Sequence, residues 1–250
     1  MEYHGESPDK SSSTELNPRT RMEHALRAVR VASGRLLGSL FCAAAFLLLF
    51  AWLSDGVFEG SLQQFDLRTR AMVHGFSTPQ LTKLMQVLTF LGSIGFLAVL
   101  FAICIAVFLV AGWKHAAIWL AVAMGGSVVL DVSLKLAFHR ARPVPFFGGV
   151  PHTYSYPSGH ALSSLCFYGV LAGLCCARIQ SRAARILIWI AGGVLIVGIG
   201  LSRIYLGVHY PTDVIAGYLA GALWVSTLLF PVLRHAKSNG QYESRDGFQN

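Results

Sequence analysis

Six stretches of this chain, 36–53, 87–110, 116–138, 161–177, 186–206 and 214–233, are each apolar over roughly the length a helix needs to cross a bilayer. Crossing about 30 Å of hydrocarbon takes about 20 residues of helix, because no water is available there to satisfy the backbone. This pattern predicts one fold class: an all-α polytopic membrane protein built as a six-transmembrane-helix bundle. Composition agrees, with 54% apolar and only 13% charged residues among 250, where a soluble domain carries about a quarter charged. The same figures exclude a disordered tail protein, a disulfide scaffold and a collagen-like fibre. Small residues recur within the stretches, as in Gly125-Gly126, Gly192-Gly193 and Gly217 with Gly221, which predicts closely packed helices. All five cysteines lie in apolar stretches and are expected to pack as small residues rather than to form disulfides.

The net charge of +8 comes largely from lysines and arginines that flank the apolar runs, so lipid headgroups are the expected partner rather than nucleic acid. Most of these cations fall on the side that holds both termini, which predicts cytoplasmic termini by the positive-inside rule. The expected organisation is a cytoplasmic tail and basic amphipathic segment over 1–35, a six-span domain over 36–233 and a second cytoplasmic tail over 234–250. Within the first part, 1–18 reads as a disordered polar tail and 19–35 as a basic helix on the inner leaflet. A removable signal peptide is not expected, since the chain opens on polar residues of mixed charge. The longest external connection, 55–86, is expected to hold a short surface helix ending near residues 76–79. No internal repeat has a clean period.

Ionisable groups at the ends of spans carry the functional signal, because a charge at membrane depth is costly unless paired or used. They fall into three groups. Lys135 and Arg142 close the third span, seven residues apart and on one helical face if the helix persists, with Pro143 behind them. Pro157-Ser158-Gly159-His160 opens the fourth, where a helix N-terminus presents free amides to an anion. Ser202-Arg203 and then His209, Pro211 and Asp213 join the fifth span to the sixth, with the carboxylate in reach of the imidazole. The topology puts all three groups on one face of the bundle. Three cations suit a tetrahedral dianion, and two histidines with one carboxylate supply a nucleophile, an orienting partner and a proton donor. That set suffices for phosphoryl transfer without a metal or other cofactor, and none is expected.

Lys-x6-Arg-Pro, Pro-Ser-Gly-His and Ser-Arg-x5-His-x3-Asp, in that order over 135–213, resemble the three signature motifs of the type 2 phosphatidic acid phosphatase superfamily. The resemblance implies a membrane lipid phosphate phosphatase. In it His209 attacks phosphorus, Asp213 holds its tautomer and His160 protonates the leaving oxygen. Lys135, Arg142, Arg203, the Ser158 hydroxyl and the Gly159 amide would bind the phosphoryl oxygens, with Ser202 structural. It also implies a lipid phosphate substrate such as undecaprenyl pyrophosphate, phosphatidylglycerol phosphate or phosphatidic acid. The expected location is a bacterial inner membrane with the active site on the outer face, and no obligate protein partner is expected. A phosphotransferase, a vanadate haloperoxidase and, from another class, a transporter are the rival readings.

The remaining polar residues near these motifs are expected to be structural. Asp131 is placed to pair with Lys135 on one helical face. His139 and Arg140 are read as surface or headgroup residues, His74 and His152 as solvent-facing, and Phe146, Phe147, Tyr154 and Tyr156 as interfacial aromatics.

Overall fold

The computed structural model describes the backbone of residues 18–149 and 153–246, and the side chains of Met22, 37–149 and 153–228. The chain divides into units 1–38 and 39–250. In the first, the backbone is helical from Pro18 onward. The expected polar tail, the side chains of 19–35 other than Met22, and His152 lie outside the described residues. All three motifs belong to the second unit.

All regular structure among the described residues is helical. The helices are α1 (Pro18–Phe58), α2 (Gln63–Gly75), α3 (Pro79–Leu91), α4 (Ile94–Val110), α5 (Lys114–Phe138), α6 (Gly159–Cys176), α7 (Arg182–Tyr205) and α8 (Pro211–Asp246). Four are long and apolar enough to cross a membrane: Leu37–Phe58 of α1, then α5, α6 and α7. The α3–α4 pair makes a fifth if counted as one span with a 51° bend. The chain is an all-α integral membrane protein. The sixth expected stretch falls in α8, whose side chains beyond residue 228 lie outside the described residues.

Two expectations are corrected by local chemistry. The second stretch is not one straight helix starting at residue 87: helix begins at Pro79 and breaks at Gly92-Ser93. Thr78 caps α3 by accepting from the Leu81 amide at 3.2 Å, and Ser93 caps α4 by accepting from Phe96 at 3.3 Å. A serine side chain competing for the amides of a new first turn restarts the helix there. The third span ends at Phe138, as expected, and the helix does not persist to Arg142. His139 takes a left-handed conformation at φ 46° and closes α5 after Phe138, so Arg142 lies on a loop rather than on the Lys135 face.

Packing centres on α6. Phe167, buried on its π-type turn at Leu165–Gly169, packs in one core cluster with Leu97 and Leu120. Leu162 and Cys166 pack in another with Leu53, Tyr156, Ala216 and Ala220. Gly217 of α8 lies so close to α6 that a Cβ there would stand 2.5 Å from the Ser158 carbonyl oxygen, so only glycine permits this crossing. Large apolar side chains on α1, α4, α5 and α7, such as Leu48, Ile103, Val129 and Val194, point away from the core, as a lipid-facing surface requires.

Candidate active site

The ends of α5 and α7 and the starts of α6 and α8 meet at one end of the bundle, tied by main-chain hydrogen bonds between distant loops. The Phe146 amide donates to Leu206 O at 3.0 Å, Ser155 N to Arg140 O at 2.8 Å and Ser158 N to Asp213 O at 2.9 Å. The turn after α7 passes through Gly207 at φ +78°, where a Cβ would stand 2.6 Å from the Phe146 amide nitrogen. Left-handed backbone and this close approach both demand glycine. The turn delivers His209 to the start of α8, where Pro211 occupies the first helical position without losing a hydrogen bond.

His209 is almost fully buried, and its ring is held from both sides. Nδ1 lies 3.3 Å from Asp213 Oδ2, and Arg142 Nη1 lies 2.9 Å from Nε2. A guanidinium only donates, so Nε2 must accept and the proton sits on Nδ1, facing the carboxylate. Burial lowers the His209 pKa to about 4; Asp213 opposes this, while Arg142 and Arg203 reinforce it. The ring is therefore neutral at neutral pH, with an unprotonated Nε2.

Arg142 reaches this position from its loop because Nε donates to Thr153 O at 2.7 Å, Nη2 to Thr153 Oγ1 at 2.8 Å and Nη1 to Val208 O at 3.0 Å. Burial lowers its pKa, with Asp213 and Asp131 acting the other way. Arg203, on the last turn of α7, donates from Nη1 to Thr89 Oγ1, and its buried Nε has no hydrogen-bond partner among the described residues. Lys135 Nζ bonds both Asp131 oxygens, at 2.7 and 2.8 Å. His160, in the first turn of α6, lies within electrostatic reach of Arg203, His209, Lys135 and Arg142. Ser158 stands at the cap position of α6 yet makes no capping bond, and its buried Oγ is unpaired among the described residues. An unpaired buried hydroxyl and guanidinium nitrogen are costly. All eight sequence-predicted residues are thus brought to one end of the bundle. Ser202 is fully buried and bonds back to Ile199 O at 2.6 Å.

Several other placements differ from expectation. Arg140 is not a surface residue: Nη1 donates to Asp213 Oδ1 at 2.6 Å and Nη2 to Asp66 Oδ2 at 2.7 Å. Asp66, on α2 and fully buried, also accepts from Thr212 N at 3.0 Å and Thr212 Oγ1 at 2.7 Å. Arg70, one turn further along α2, donates to Val144 O and Gly207 O at 2.8 and 3.0 Å. Ser155 Oγ donates a short bond to Asp213 Oδ2. Sequence reasoning missed Asp66, Arg70, Thr89, Thr153, Ser155 and Thr212. The signal for the first two was their four-residue spacing, which puts both on one face of α2. His74 stacks on Phe146 with centroids 4.0 Å apart rather than facing solvent. Tyr156 is buried, its hydroxyl 2.8 Å from Ser54 Oγ and its pKa pushed up to about 12 by burial; it anchors the loop. His139 packs edge-on against the Tyr154 ring at 4.6 Å.

The model of the PAP2 superfamily matches residues 116–235, a range that takes in all three motifs. The structure resembles the crystal structure of the transmembrane PAP2-type phosphatidylglycerolphosphate phosphatase from Bacillus subtilis with a TM-score of 0.70 and 27% identity, covering 79% of this chain and 97% of that one. The part of the chain that carries all three motifs is thus similar to the PAP2 superfamily. Among its relatives, phosphatidylglycerophosphatase B of Bacillus subtilis is 28% identical over 187 residues, 74% of this chain and 91% of the relative. An undecaprenyl-diphosphatase of Sulfolobus acidocaldarius is 37% identical over 108 residues, 41% of this chain and 48% of the relative. These PAP2 relatives are phosphatases by name, and the eight motif residues of the site lie within the matched range.

Proposed function

We propose that this PAP2 phosphatase hydrolyses the phosphate headgroup of a membrane lipid through a phosphohistidine at His209. The observation that carries the reading is the contact of Arg142 with His209 Nε2, which leaves that nitrogen with its lone pair beside a cation suited to phosphate. Nε2 attacks phosphorus, the bond from phosphorus to the lipid oxygen breaks, and His160 gives that oxygen its proton. Asp213 holds Nδ1–H and balances the charge that develops on the ring. Arg142, Arg203 and Lys135, with Ser158 Oγ and the Gly159 amide, bind the phosphoryl oxygens and stabilise the transition state. Water then attacks the phosphohistidine, His160 takes the proton, and the P–N bond breaks to release phosphate.

The substrate is a lipid whose phosphate reaches the bundle end from the bilayer: phosphatidylglycerol phosphate, undecaprenyl pyrophosphate or phosphatidic acid. The chain crosses the membrane six times with both termini cytoplasmic, and the site opens on the outer face of a bacterial inner membrane. An impermeant thiol reagent should label Val144→Cys in intact cells; labelling only after lysis would reverse the orientation. For the activity, the purified protein is given a panel of lipid phosphates in detergent with EDTA present. Phosphate release by wild type and none by His209→Ala is expected; turnover by the variant at the wild-type rate would overturn the nucleophile assignment.

A further inference from the structure

The cations of the site are not equally free. Arg140 is met by two carboxylates, Asp66 and Asp213, at 2.7 and 2.6 Å. Lys135 is met by Asp131, with both side chains only partly exposed, at 15% and 18%. Arg142 and Arg203 hydrogen-bond only neutral acceptors among the described residues. The Asp131 carboxylate also packs against the start of α6: a Cβ on Gly159 would stand 2.7 Å from Oδ1. It lies within electrostatic reach of Arg142 as well. Asp131 is thus an anion set among the proposed phosphate ligands, engaging Lys135 directly and lying against the residue that opens α6.

We infer, resting on the lipid-phosphate reading, that Asp131 is a specificity-determining residue that matches the pocket to a phosphomonoester and disfavours a diphosphate. With Lys135 offset by Asp131, and Arg140 together with Arg70 by Asp66 and Asp213, two cations without a carboxylate partner remain, Arg142 and Arg203. Two cations balance the nearly two negative charges of a phosphomonoester at neutral pH. A diphosphate brings about one more, and a fixed, partly buried carboxylate repels that extra charge wherever it sits nearby. The same carboxylate competes with product phosphate for Lys135, which favours release after hydrolysis.

The test compares a lipid monophosphate and diphosphate of the same tail on wild type, Asp131→Asn and Asp131→Glu. Asparagine keeps the shape and removes the charge; glutamate keeps the charge. Asp131→Asn is expected to raise the diphosphate-to-monophosphate ratio of kcat/KM about tenfold, and to let orthophosphate inhibit at about tenfold lower concentration. Asp131→Glu should keep the ratio close to wild type. An unchanged ratio in Asp131→Asn, or an equal fall with both lipids, would overturn the inference, because a merely structural ion pair acts on both substrates alike. Failure of the phosphatase reading would appear differently, as no phosphate release from either lipid by wild type. Calorimetric binding of orthophosphate then still decides: tighter binding to Asp131→Asn supports the built-in anion, and equal binding removes it. Should Asp131→Asn not fold, Asp131→Ser carries the same comparison.

Discussion

Arg142 sets Nη1 2.9 Å from Nε2 of His209, although the two residues sit on different loops and 67 positions apart. The contact fixes which ring nitrogen carries the proton, and it holds a cation proposed to bind phosphate against the atom proposed to attack. In the proposed mechanism, the oxygens of an arriving phosphoryl group replace Nε2 as the acceptor for that guanidinium. Binding the substrate and releasing the nucleophile then become one exchange.

Asp213→Asn should cost far more turnover than binding. The side-chain amide of asparagine can donate to Nδ1, which stabilises the tautomer with the proton on Nε2 and removes the lone pair from the attacking position. A fall in kcat of about 10²–10⁴-fold with little change in KM is expected by analogy with other oriented histidines. Steady-state kinetics on the purified variant measure it, and a change confined to KM would contradict the orienting role.

The nucleophile should set an unusually low acid limb. An imidazole is neutral above its pKa, and burial lowers that of His209 to about 4, against an ordinary value near 6.5. In the free enzyme it therefore stays unprotonated as pH falls through 6.5 and gains its proton only near 4. The acid limb of kcat/KM should lie well below about 6.5. A limb at the ordinary imidazole value would count against the buried, neutral ring.

Asp66→Ala should destabilise the protein without touching a phosphate ligand. The carboxylate is fully buried and accepts from Arg140, Thr212 N and Thr212 Oγ1. Its removal leaves buried donors unpaired and Arg140 with one carboxylate instead of two. A loss of about 3–5 kcal/mol is expected, read as a lower Tm in detergent. A Tm equal to wild type would show that α2 is not clamped by this carboxylate.

The three motifs were legible because their residues are charged or polar where the surroundings are apolar, and the order of the spans alone put Lys135, His160 and His209 at one end. The path of the backbone between them was harder to read. A capping Ser93 breaks a helix whose hydropathy continues, and a left-handed His139 turns the chain away before Arg142, since helix ends depend on a single backbone angle or side-chain bond that an apolar average does not register. Asp66 and Arg70 were passed over for a related reason. Charges on a short, polar helix outside the apolar stretches look like a solvated face, and only tertiary packing against Arg140 and Gly207 buries them.

The most direct test of the proposed chemistry is where phosphate becomes covalently attached. Purified protein mixed with a lipid phosphate, quenched in alkali on the millisecond scale and analysed by peptide mass spectrometry, should carry one phosphate on His209, absent from His209→Gln. Phosphate on another residue, or a clear burst of product with no protein-bound phosphate at any time, would contradict it.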